Sequence, residues 1–144
     1  MNKKCLNISL CYAIAAMIGG VFYREFTKYN SFTGVTVLGK IHVHLFLLGM
    51  IVFLLAALFA KQYDLASQKK FHIFLKVYNI GVPLTVIMLI IRGIFQVQAT
   101  TLSAGADAAI SGIAGIGHIL VGIGLIFFIL SLKTAASLKT SAKE

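Results

Sequence analysis

Three of the four histidines interrupt long apolar runs. His42 and His44 fall in Lys40-Ile41-His42-Val43-His44-Leu45-Phe46, and His118 in Gly115-Ile116-Gly117-His118-Ile119-Leu120. An imidazole placed in hydrocarbon is costly, which makes each a candidate site residue. The chemistry open to it is metal ligation through a ring nitrogen, or a hydrogen bond that ties helices together. His42 and His44 are two residues apart, so on a regular helix they point about 200° apart. At most one of them belongs to any one site. Zinc wants three or four N, S or O ligands, and the sequence offers no HExxH, no paired Cys and no intramembrane carboxylate cluster. Haem iron needs only two protein ligands, because the porphyrin supplies the other four. Two histidines on different helices therefore point to a haem before a bare metal.

Two arginines and a glycine strip extend the constellation. Arg24 and Arg92 each lie toward the end of an apolar run. A guanidinium suits carboxylates, including haem propionates. Arg24 also has a local partner in Glu25. Helical spacing puts Ser111, Gly115 and Gly122 on the face of His118. A strip without side chains lets a planar macrocycle lie against the backbone; it equally lets two helices approach closely. Cys5 and Cys11 fit no metal spacing and are read as small apolar packing residues. His72, beside Lys69 and Lys70, is read as a surface residue. Tyr78 and Asn79 near Pro83 either line a cavity or pack against the proline.

The elements that must hold these residues follow from composition. The chain of 144 residues is 59% hydrophobic and only 12% charged. A soluble domain of this size cannot bury that much apolar surface. A span takes roughly 20 apolar residues, so four spans use up the chain as one membrane domain covering residues 1–144. The expected spans are 5–27, 36–60, 72–98 and 107–132. Short connectors make neighbours antiparallel, so the expected fold is all-α, a transmembrane up-down four-helix bundle. The basic start Met1-Asn2-Lys3-Lys4 and the small residues Ala13, Ala15 and Ala16 resemble a signal peptide. The apolar run continues to Phe22, so the segment reads as a retained helix. Pro83 leaves the carbonyl of Asn79 without its helical partner and predicts a kink. Asp107 stands where the N-cap of the last span belongs.

The net charge of +9 does not indicate nucleic acid, since the basic residues sit at the ends of apolar runs rather than on one face. They set topology instead. Lys3, Lys4, Lys61, Lys69, Lys70, Lys76, Lys133, Lys139 and Lys143 fall on one side; Arg24, Lys28 and Lys40 fall on the other. The expected orientation is N-in/C-in in a bacterial cytoplasmic membrane. The second and fourth spans then both enter from outside, which puts His44 ~12 Å deep, His118 ~16 Å deep and His42 ~9 Å deep. His44 and His118 thus reach similar heights near the middle of a ~30 Å core. His42 is the reserve ligand.

The stretch Ala16-Met17-Ile18-Gly19-Gly20-Val21-Phe22-Tyr23-Arg24-Glu25-Phe26, followed by His42-Val43-His44-Leu45-Phe46-Leu47-Leu48-Gly49-Met50, resembles the first two helices of haem-copper oxidase subunit I. In that family an Arg closes the first helix, and a His early in the second ligates the low-spin haem. The resemblance implies His44 in that role. The other histidines of the oxidase are missing, so no copper site or oxygen-reduction centre is implied. The chain as a whole resembles a family of small four-span bacterial membrane proteins of unknown function, with HxH on the second helix and a Gly-rich His helix last.

The expected function is that of an integral membrane b-type haem protein. His44 and His118 are the ligands, and Arg92, Arg24, Gly115 and Gly122 complete the site. Two ligands suit electron transfer, with a redox protein or a quinol as partner. A single ligand leaves a position for NO or O2. No nucleophile–base pair or phosphate loop is present, so any catalysis comes from a cofactor. The competing readings are a small channel or transporter and a cofactor-free structural bundle. Self-association is left open.

Overall fold

The computed structural model describes residues 1–141. Four helices account for almost all of them: α1 (Asn2–Tyr29), α2 (Val37–Gln62), α3 (Lys69–Val97) and α4 (Ala104–Ser141). Each is long and apolar enough to cross a membrane. Helices are expected there, since a backbone in lipid must satisfy its own polar groups. The chain is a transmembrane up-down four-helix bundle. Lys143, counted above for orientation, lies outside the described residues.

Cross-helix bonds show which ends lie together. The Thr36 hydroxyl, at the start of α2, reaches the Gly93 carbonyl (3.2 Å) and Gln96 Oε1 (3.1 Å) near the end of α3. Arg92 of α3 reaches Asp107 of α4. At the other end, Lys70 Nζ donates to Thr134 Oγ1 (3.3 Å), and Lys139 Nζ to the Gln62 carbonyl (3.2 Å). One end of the bundle therefore carries the α1–α2 and α3–α4 connectors. The other, the terminal end, carries the α2–α3 connector and the start of α1. The α4 helix runs past the expected span to Ser141. Its last turns are held by Lys139, whose ammonium also lies 5.1 Å from the Tyr63 ring centre. A cation there complements the negative end of α2.

The helix ends use local chemistry. Ser31 and Ala99, just past α1 and α3, are the described non-glycine residues with positive φ. This turns the chain so that Phe32 N bonds Thr27 O and Thr100 N bonds Phe95 O, closing the orphan carbonyls. Ser103 caps α4, its Oγ accepting from Ala106 N at 3.3 Å. The expectation of Asp107 as N-cap is thereby corrected: Asp107 lies inside the first turn, where its carboxylate is free to meet Arg92.

The helices form two close pairs. The α4 helix lies along α3, α1 along α2, and contacts between α2 and α3 join the pairs. Glycines set the α3–α4 distance. A Cβ on Gly81 would come 2.8 Å from Val121 N, and one on Gly124 would come 2.8 Å from Tyr78 Cδ2. Toward the terminal end the core is aromatic: Phe53 stacks on Phe74 (5.6 Å between ring centres), and Phe74 on Phe128 (4.7 Å). The α3 helix is continuous through Pro83.

Two grooves remain where backbones stay apart. One, of about 700 Å³, runs between α1 and α3 over a floor of Ile41 and Leu45. The other separates α2 from α4, bridged by the ring pairs Phe59–Phe128 and His44–His118.

Candidate functional site

The α2–α4 groove brings His44 and His118 together. Their ring centres are 6.4 Å apart and their planes perpendicular, at 90°. Each ring is anchored to its own helix. His44 Nδ1 lies 2.9 Å from the Lys40 carbonyl, and His118 Nδ1 lies 2.8 Å from the Ala114 carbonyl. A carbonyl only accepts, so each Nδ1 carries a proton, and in the neutral ring the lone pair sits on Nε2. Among the described residues no hydrogen bond engages either Nε2. A metal-binding histidine usually donates its other ring N–H to a carbonyl or carboxylate, which fixes its tautomer and orientation. The structural alternative, a His–helix bond across the bundle, is not what these two rings make.

The spacing bears on what fits between them. A metal–imidazole bond is about 2 Å long and the ring centre lies about 1 Å behind its nitrogen, so two rings facing across one metal have centres roughly 6 Å apart. The separation of 6.4 Å is of that order. Among the described residues, no group of three or more His, Cys, Asp or Glu is arranged to hold a metal ion. Two ligands alone suit a metal whose other positions are filled by a macrocycle. Room exists beside His118. A Cβ on Gly115 or Gly122, one turn to either side, would meet nothing within 4 Å, and the same holds for Gly112.

Arg92 is brought to this face of α4. Its Nη1 donates to Asp107 Oδ1 at 2.8 Å, and its Nη2 to Ser111 Oγ at 2.7 Å and the Asp107 carbonyl at 3.2 Å. Ser111 lies two turns before His118 on the same face, about 10 Å along the axis. Arg24 is elsewhere. It meets its neighbour Glu25 at 3.8 Å with 80% of its side chain exposed, as the local reading had it. His42 is also separate. It packs beside Gly20 of α1, whose Cβ would lie 3.7 Å from His42 Cβ, and its Nδ1 is buried without a partner. His72 is exposed and bonds the Ala66 carbonyl at 2.8 Å. Cys5 is buried, whereas Cys11 is exposed on the α1–α3 groove; both are free.

Directly after His44 the helix widens into a π-helical turn, Leu45–Ile51. Such turns hold an extra residue and recur at functional sites. Two of its carbonyls are served from other helices. The Tyr78 hydroxyl donates to Leu48 O at 2.9 Å, and the Ser9 hydroxyl to Met50 O at 2.8 Å. Gly49 in this turn faces Tyr12 so closely that a Cβ would overlap the ring. None of Ser9, Tyr12 or Gly49 carries a sequence signal for this role. Tyr78 packs fully buried, whereas Asn79 lines the α1–α3 groove.

Fold and site together define a four-span membrane protein with a histidine pair in a lipid-facing groove. The chain belongs to the family described as "Protein of unknown function (DUF2871)", whose model matches residues 1–135. No curated protein and no solved structure matches it.

Proposed function

We propose that the protein binds one b-type haem in the α2–α4 groove, with His44 and His118 as axial ligands, and serves electron transfer. The observation that carries this reading is the ring pair itself: 6.4 Å between centres, planes at 90°, both Nδ1 atoms tied to their own helices. The open strip at Gly115 and Gly122 leaves space for the flat face of a macrocycle. Arg92, already oriented by Asp107 and Ser111, stands two turns away as the cation for propionates. The resemblance of the first two helices to those of haem-copper oxidase subunit I supports His44 in particular. A haem held by His44 and His118 would supply one-electron chemistry. The protein residues orient it and keep the Nε2 lone pairs available. A channel along the bundle is disfavoured by the packed rings of Phe53, Phe74 and Phe128 across the terminal end. The membrane is taken to be the bacterial cytoplasmic one, with N-in/C-in orientation.

The test is a visible spectrum of protein purified in mild detergent from haem-replete cells. A six-coordinate, low-spin spectrum is expected. His44→Ala and His118→Ala each lose it or turn it high-spin, and free imidazole partly restores it in His118→Gly. His72→Ala changes nothing. Loss in His42→Ala with retention in His44→Ala would move the ligand by two residues. A colourless protein that does not take up added hemin overturns the proposal.

A further inference from the structure

The groove on the opposite side of α2 has a chemistry of its own. Its volume of about 700 Å³ lies within the ~300–1,000 Å³ range of small-molecule sites. Its walls are almost wholly apolar, running to Phe22 and Ile90 away from the terminal end. The polar exceptions, Asn7, Tyr12 and Asn79, gather toward the terminal end. The Tyr12 hydroxyl donates to Asn79 Oδ1 at 3.2 Å, and Asn79 Nδ2 donates to the Leu75 carbonyl at 2.8 Å. That leaves one N–H of Asn79 and a lone pair of the Tyr12 hydroxyl uncommitted. Pro83 also lines the groove. It has no N–H for the carbonyl of Asn79, and no described side chain donates to that carbonyl. Donor and acceptor capacity thus remain together at one end of a long apolar slot. Tyr12 lies about 10 Å from Cys5 along α1, so these groups sit below the lipid headgroups.

We infer that this groove binds a lipid-soluble quinone or quinol, its ring oxygens at Asn79 and Tyr12 and its isoprenoid tail along Ile87 and Ile90. A phospholipid tail would set only methylenes against these groups, because its own polar atoms stay at the headgroup level. A quinone carbonyl accepts from Asn79 Nδ2, and a quinol hydroxyl donates to the Tyr12 hydroxyl oxygen. The floor residue Leu45 adjoins His44, so a single helix, ~10 Å across, separates this groove from the histidine pair. Binding itself does not depend on the haem reading.

The experiment uses the full chain in nanodiscs, with a decyl-tailed benzoquinone carrying a photoreactive azide, and mass spectrometry to map the label. Saturable labelling of α1 and α3 peptides around the groove is expected, competed by unlabelled decyl-benzoquinone but not by an equal excess of oleic acid. Asn79→Leu lowers the apparent affinity at least tenfold. Ile87→Trp, at a residue 48% exposed and so harmless to the core, fills the slot and abolishes labelling. His44→Ala leaves labelling intact even if it removes the haem spectrum, which separates the two proposals. Labelling that does not saturate, that oleic acid competes equally, or that survives Ile87→Trp overturns the inference.

Discussion

At the residue scale, the glycines of α4 divide by what stands opposite them. Gly117 and Gly124 face α3, joined by Gly81 across the interface, whereas Gly112, Gly115 and Gly122 face open space. The two sets predict opposite phenotypes. Gly81→Ala forces a methyl to within 3 Å of the Val121 and Leu120 backbone; overpacking of that kind costs about 1–3 kcal/mol. It should lower the thermal unfolding midpoint in detergent. Gly115→Leu should leave that midpoint unchanged and yet block haem uptake, because it fills only the strip beside His118. Equal destabilisation by both would show that the strip is a packing surface. The histidine pair was legible in the sequence because depth along a helix follows from residue count. The division of the glycines was not: residues 115 and 117 differ by two positions, and only the location of the partner helix says which one is crowded. The two arginines already differed in the sequence, Arg24 beside Glu25 and Arg92 deeper in its span, but the partners of Arg92 were hidden for the same reason. Those partners, Asp107 and Ser111, both belong to a helix that has to be packed before they can be seen.

At the element scale, the feature that sequence periodicity hides is the π-helical turn in α2. Its residues, Leu45 to Ile51, are as apolar as the helix around them, so a wider turn and a regular one read alike. Its consequence is a change of register directly after His44. The segment before the turn aims His44 at α4, and the segment after it aims Phe53 into the aromatic core. The surplus carbonyls need donors, which Tyr78 and Ser9 supply. Tyr78→Phe and Ser9→Ala should each destabilise the protein by about 1 kcal/mol, the net worth of such a bond. Both should also weaken haem retention by loosening the helix that carries His44, whereas Thr140→Ala, at an exposed bond near the end of α4, should do neither. Unfolding midpoints and haem off-rates measure the two effects separately. The ends of α1 and α3 fall within two residues of the expected 27 and 98, although the turning residues Ser31 and Ala99 are not glycines.

At the scale of the whole molecule, the existence, order and antiparallel arrangement of the four spans followed from apolar run length and short connectors. The open grooves did not follow, since nothing in a hydropathy pattern says that α2 and α4 stand apart. Orientation rests on charge. Lys61, Lys69 and Lys70 flank the α2–α3 connector, and Lys3, Lys4, Lys133 and Lys139 join them at the terminal end. The α3–α4 connector, residues 98–103, has no basic residue. An excess of Lys and Arg holds its side in the cytoplasm. A reporter that is active only outside the cytoplasm, fused after Ser31, should therefore be active, and the same reporter after Ala66 should be silent. A cytoplasm-active reporter should give the reverse pattern. Activity on the same side at both positions would break the up-down arrangement; an exchanged pattern would keep the fold and reverse the orientation. The charge argument makes a further demand. Replacing Lys61, Lys69 and Lys70 with Gln while placing three Lys in residues 98–103 removes most of the asymmetry across α3. The Ala66 fusion should then divide between the two sides. If it stays wholly cytoplasmic, the orientation is fixed by α1 with Lys3 and Lys4, and the connector lysines serve only as anchors at the lipid surface.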